Sequence, residues 1–258
     1  MSRLADALST EIGDSPPTIV GWLVHVDREP NWSWSEKVWR WGAAQQRATH
    51  FLQLQDDVIV APRYWDYMRA MVEAVPDQII CLQGAHPAFR LLADAGHRWA
   101  VSRAWMVGVG YVIPTADLTA LLEWRDTLHQ GDVQATNEDE LIARFCIVTK
   151  REVWHPIPTV IDHDVTIKSV YGNDAHNYRR PSITWREFGE ELAEVDFWRP
   201  KPDTLPPVVR NPHNAACWMC LSEPAILRSA ETGAMMGAKC VAKGVNSLLA
   251  NVSIRREL

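Results

Sequence analysis

The chain has 258 residues, 47% hydrophobic, 22% charged and 9% aromatic, with a formal net charge of −6. That composition belongs to a globular protein with a sizeable core and excludes a disordered or fibrous chain, while the length allows one large domain or a medium domain with a small appendage. No run approaches the roughly 18 apolar residues of a membrane span, and the opening MSRLADALSTEIGDSPP lacks the basic-then-apolar order of a secretory signal.

The expected location is therefore the cytoplasm, where the 5 cysteines are reduced thiols or metal ligands rather than a disulfide framework. Charge is uneven along the chain: residues 1–200 carry 19 Lys+Arg against 28 Asp+Glu, and residues 201–258 carry 7 against 4. An acidic body does not attract nucleic acid through bulk electrostatics, so any polyanion contact falls to local patches or to the tail.

In chain order, TIVGWLVHV (Thr18 to Val26) reads as a strand buried on both faces, ending in the polar loop Asp27-Arg28-Glu29-Pro30. Ser33 with Glu36 forms a capping box, and Trp34, Val38 and Trp41 recur at helical spacing, predicting an amphipathic helix to about Arg47. HFLQLQDDVIV is a strand running into paired acids. Pro62 stands at a first helical position, Tyr64, Tyr67, Met68, Met71, Val72 and Val75 keep the helical rhythm, and Pro76 stops it. Gln78 to Leu82 and Trp105 to Ile113 read as strands, and Pro114 opens a helix with Leu118, Leu121 and Leu122 inward. Glu138 to Val148 is helical, Val153 to Ile157 a strand, and Thr159 to Asp164 leads from a Pro-broken edge into a polar loop. Such alternation is an α/β domain. Prolines at 200, 202, 206, 207 and 212 then mark a linker, so the expected division is a body over 1–200 and a small Cys-rich module over 201–258.

In open α/β sheets ligands bind beyond the carboxyl ends of strands, where Asp56 and Asp57 fall. Two such carboxylates suit Mg or Mn with positions left for phosphate oxygens; a solvated turn is the bland alternative. The order of THFLQLQDDVIV, GVGYVIPT, NEDELIARF and PIPTVIDHD, over roughly Thr18 to Ser182, resembles the glycosyltransferases of GT-A fold, particularly small phage-encoded and lipopolysaccharide-type enzymes. The resemblance implies a GT-A-like (Rossmann-like) mixed sheet flanked by helices, Asp56 and Asp57 as the acidic metal motif gripping a nucleotide-sugar diphosphate, and His163 as a late metal ligand oriented by Asp162 and Asp164. It further implies Asp139 as the base that takes the acceptor's proton, with Glu138 second, and base or ribose contacts from Asp27 and Arg28. The commoner pattern has an acid at the place of Gln55. Glu138, Asp139 and Glu140 equally suit the positive end of a helix dipole, which would lower their pKa values. Gly108 and Gly110 permit close approach of a ligand or mark a bulge, and Trp32, Trp34, Trp39 and Trp41 are either core or a stacking surface.

Cys217-Trp218-Met219-Cys220 is a C-x-x-C, Cys240 follows with nineteen residues between, and His213 precedes it, so a Cys3His zinc site can be drawn. Cys81 and Cys146, isolated in apolar segments, read as core thiols. The leading function is transfer of a sugar from a nucleotide donor to a hydroxyl, with hydroxymethylated phage DNA docked by the net-positive tail as an acceptor. The alternative of a different class is a non-catalytic, transferase-like scaffold whose zinc module binds nucleic acid or protein. A nucleotidyltransferase would use the same carboxylates. The His163-Asp164 pair also occurs in metal phosphohydrolases, but those are all-helical, and here the pair follows a strand-like segment.

Overall fold

The computed structural model describes residues 31–55, 57–84, 88–102, 108–128, 138–164, 190–200, 206, 225–229, 235–237 and 254–256. The predicted strand Thr18 to Val26 and its loop lie outside these residues. The described elements begin with helix α1 (Asn31–Ala43), strand β1 (His50–Leu54), strand β2 (Val58–Val60), helix α2 (Tyr64–Ala74), strand β3 (Ile79–Cys81), helix α3 (Ala88–Asp94) and strand β4 (Trp99–Ser102). There follow β5 (Gly110–Pro114), α4 (Thr115–Asp126), α5 (Glu138–Thr149), β6 (Val153–Pro156), β7 (Ile161–His163), a 3-10 turn (Glu190–Ala193) and the short helix α6 (Val195–Trp198). Three C-terminal strands, β8 (Ala225–Ser229), β9 (Met235–Gly237) and β10 (Ile254–Arg256), form a separate antiparallel sheet in the order β10-β8-β9. Among the described residues no helix is long and apolar enough to cross a membrane.

The principal sheet has 5 strands in the order β1-β5-β3-β6-β4. It is mixed: β3 and β6 run parallel, whereas β1 with β5, β5 with β3, and β6 with β4 are antiparallel. Helices cover both faces, so the α/β class follows directly. On one face Phe51, Ile79, Cys81, Tyr111, Ile113 and Val153 pack beneath α1, α4 and α5. On the other, Ile80, Val101, Val112 and Trp154 meet α2 and the segment ending at Trp198. Period-two alternation along each strand divides these two sets. Cys81 and Cys146 are buried free thiols, and burial pushes the Cys146 pKa up to about 12, which keeps it inert.

Several boundaries differ from the sequence reading for local reasons. HFLQLQDDVIV is two strands: β1 stays in the main sheet, and Val58–Val60 leaves it to pair antiparallel with β7. Thr159 to Asp164, expected to run into a polar loop, thus contains a buried strand whose partner is supplied by the other half of the acid-bearing segment. Pro62 does not begin α2; Arg63 stands at the N-cap in the left-handed region with φ 61, and the helix starts at Tyr64. Gly108 precedes β5 rather than lying within it. The inward face of α1 is Ser35, Trp39 and Gly42, one position on from the predicted Trp34, Val38 and Trp41, because its buried face carries hydrogen-bonding groups that an apolar pattern does not register.

Gly42 fixes how closely α1 lies on β1. A Cβ there would stand 2.3 Å from Cδ2 of the buried Phe51 ring. Gly42→Ala should therefore destabilise the fold by about 1–3 kcal/mol through overpacking, despite alanine's better helix propensity. Urea denaturation checks this, and an unchanged or raised midpoint would contradict the packing argument.

Candidate functional site

Two groups of side chains gather at the carboxyl end of β1. The first is built on the N-terminus of α5. Glu138 and Asp139 open this helix, partly exposed, against Gly108. A Cβ on residue 108 would lie 3.2 Å from Glu138 Oε1 and 3.3 Å from Asp139 Cβ, so glycine admits the helix start at this distance. Glu138 Oε2 accepts hydrogen bonds from Ser35 Oγ of α1 and, at 2.8 Å, from Gln53 Nε2 of β1. Trp39 Nε1, which can only donate, is shared between Gln53 Oε1 at 3.1 Å and Tyr111 Oη at 2.8 Å. That bond orients the Gln53 amide: its oxygen faces Trp39, and its NH2 faces the carboxylate.

Burial raises the Glu138 pKa to about 7, and the neighbouring Asp139 charge adds to the rise, while hydrogen bonds from Ser35, Gln53 and Gln55 act against it. Asp139 is also raised, by burial, against backbone donors at Glu140, at its own N–H and at Gly108. Glu140 N–H donates to Asp139 Oδ1 at 2.9 Å. The helix-dipole expectation of lowered pKa values is thus outweighed by desolvation. Tyr111 is fully enclosed and pushed well upward, by burial first and then by the negative charges of Glu138 and Asp139.

The second group sits on the small β2–β7 sheet. Val58 pairs with His163, and the Asp164 N–H donates to the Asp57 carbonyl at 2.7 Å, which fixes the two chains in register. His163 Nε2 lies 3.2 Å from Asp57 Oδ2, both side chains largely buried. Asp162 Oδ1 accepts from the His163 backbone N–H at 2.9 Å, so Asp162 braces the main chain at His163. Gly110 lets β7 close on the main sheet, since a Cβ there would be 2.5 Å from Ile161 Cδ1 and 2.8 Å from Leu54 Cδ2. The close approaches at Gly108 and Gly110 are therefore to the protein's own side chains.

Gln55 joins the two groups. Its N–H donates to the Val109 carbonyl at 3.0 Å, its amide serves Glu138, and Asp57 lies two residues on. An acid at position 55 would put a further carboxylate beside one already strained by burial, which accounts physically for the amide there. Asp57, His163, Glu138 and Asp139 are accordingly placed at one end of the sheet, 81 or more residues apart in sequence in the case of the α5 pair and Asp57. Asp27, Arg28, Asp56, His213, Cys217, Cys220 and Cys240 lie outside the described residues. Among the described residues no group of three or more His, Cys, Asp and Glu forms a ready metal cluster.

Sequence reasoning missed Ser35, Gln53, Trp39 as a donor, and Tyr111. One signal was available: Gln53 and Gln55 occupy alternate positions in an otherwise apolar strand, and a polar stripe on a buried face requires partners. No protein-family model matches this sequence, and no characterised protein is significantly similar to it.

Proposed function

We propose that the protein is a GT-A-like glycosyltransferase that moves a sugar from a nucleotide-sugar donor to an acceptor hydroxyl. The observation that carries this reading is the β2–β7 pairing, which sets Asp57 against His163 at the same end of the sheet as a partly buried carboxylate pair with raised pKa values. Their facing oxygen and nitrogen, 3.2 Å apart, match neighbouring corners of an octahedron with bonds of ~2.1 Å. The buried Nδ1 of His163 has no hydrogen-bond partner among the described residues, so the expected orientation of the ring by Asp162 and Asp164 is not made through Nδ1. Asp57 and His163, with Asp56, are the residues that would hold Mn or Mg, and the ion would neutralise the departing diphosphate.

The protein's own part is proton transfer and positioning. The acceptor oxygen forms its bond to the anomeric carbon, the bond from that carbon to the nucleoside diphosphate breaks, and the acceptor's proton passes to the carboxylate pair on α5. A group titrating near neutrality suits this work. In the tail, the spacing of Cys217, Cys220, Cys240 and His213 supports a structural zinc, and its net positive charge supports docking of an anionic acceptor such as hydroxymethylated DNA.

Isothermal titration with UDP, UDP-sugars and CMP tests the donor site. Binding should require Mn, and Asp57→Asn should remove that requirement together with the affinity. Equal affinity in wild type and variant, with or without metal, would sink the assignment. The scaffold reading draws on Gln55, which leaves the strand end one acid short; it would be favoured by a protein that binds DNA through its tail but no nucleotide. Elemental analysis of protein purified without chelator should find about one zinc per chain, and Cys217→Ser with Cys220→Ser should remove it.

A further inference from the structure

We infer, resting on the transferase reading above, that Ser35 and Gln53, which hold Glu138 by Oε2, and Gln55 beside them are positioning residues that set the Glu138 carboxylate to receive the acceptor's proton. Ser35 Oγ and Gln53 Nε2 both donate to Oε2, and the Gln55 amide is a third donor to the carboxylate. Oε1 lies against residue 108, where a Cβ would come within 3.2 Å, so glycine is what lets the carboxylate sit this close to the chain. Asp139, by contrast, spends its carboxylate on backbone N–H groups of Glu140 and Gly108, as a group that fixes the start of a helix does.

The groups facing Glu138 are Ser35 on α1, Gln53 and Gln55 at the end of β1, Tyr111 on β5, and Asp139 on its own helix. Ser35, Gln53 and Gln55 donate, and each favours the charged form; Asp139 is negative and burial is general, and both favour the protonated form. The balance puts the carboxyl near 7. Trp39 contributes at one remove, because its donated bond turns the Gln53 amide so that NH2, not oxygen, meets the carboxylate. In the reacting complex the acceptor O–H proton goes to the Glu138 carboxylate, its electron pair forms the new bond to the anomeric carbon, and the nucleoside diphosphate leaves with the pair of the bond that breaks.

The test is direct titration of Glu138 by carboxylate 13C NMR in the full-length protein, with the resonance assigned by its loss in Glu138→Gln. Ser35→Ala and Gln55→Leu should each raise the midpoint by about one pH unit, the size expected for losing one hydrogen bond to a charged group. Ser35→Thr should restore it. Where turnover is measurable, the acid limb of the kcat profile should move by the same amount, and Gly108→Ala, which crowds Oε1, should lower kcat with donor KM unchanged. Folded Ser35→Ala and Gln55→Leu proteins with the wild-type midpoint would overturn the positioning role. Shifted midpoints in a protein that turns over no nucleotide sugar would leave that role standing and count against the transferase reading alone.

Discussion

Glu138→Gln is expected to lower sugar transfer by roughly 100- to 10,000-fold, the range for losing a general base, and at the same time to make the protein more stable at pH 8. The two effects have one cause. The folded protein holds the Glu138 proton up to about pH 7, whereas the unfolded chain releases it near 4.5. Between those values the native state binds more protons, so this residue's contribution to stability is full below about pH 4.5 and is lost as the pH rises through 7. At pH 8 the wild type carries the whole cost of a buried carboxylate, and removing it should gain roughly 1–3 kcal/mol; at pH 4 wild type and variant should denature alike. A glutamine oxygen still accepts from Ser35 and Gln53, so the variant keeps the bonds between α1, β1 and α5. Urea midpoints at pH 4 and pH 8, measured beside turnover, check both halves. Equal stability at pH 8 would mean that Glu138 is not buried as a charge.

This coupling of strain to a site explains what was readable in advance. Helix α2 was legible because Tyr64, Tyr67, Met68 and Met71 are apolar and buried at helical spacing, so pattern and burial agree. The Leu118, Leu121 and Leu122 face of α4 was legible for the same reason. Helix α1 was found but read one position out of phase, since Ser35 and Trp39 face inward to serve Glu138 and Gln53 rather than to join an apolar stripe. Strand β7 was missed: three residues containing Asp162 and His163 carry no apolar alternation, and their burial depends on a partner strand about a hundred residues away. Strand β4 at the sheet edge and the short helix α3 drew no prediction, their four- and seven-residue lengths being below what periodicity resolves. At the end of β1, the acidic and histidine-bearing segments that the fold brings to one end of the sheet were visible in their order along the chain. Which carboxylate is held by side chains and which by backbone depends on Gly108 and Ser35, and that placement is tertiary.

The end of the body offers the second large effect. Trp198→Ala should destabilise the protein by about 3–5 kcal/mol, the cost of emptying the space of a large aromatic side chain in a core. Trp198 is fully buried; its ring lies 5.3 Å from Trp99 and 4.9 Å from Phe197 between centroids. Its indole N–H donates to the Leu192 carbonyl at 2.7 Å, and its own carbonyl accepts from Trp99 Nε1, so two bonds tie the 3-10 turn and α6 to the sheet-edge strand β4. Arg98 adds a cation 4.0 Å above the Phe197 ring. Alanine would leave the Leu192 carbonyl without its donor as well as opening a cavity, whereas Trp198→Phe keeps most of the apolar volume and should cost less. The same packing bears on the expected end of the body near residue 200. A chain truncated after Pro200 should unfold in one cooperative transition at close to the full-length midpoint, because it keeps Phe197 and Trp198, which close this face of the sheet against Arg98 and Trp99. A chain truncated after Ala193 lacks Trp198 and should show at least the loss of Trp198→Ala. If both truncations melt together with full-length protein, the segment from 194 to 200 does not seal the core and the boundary near residue 200 is misplaced.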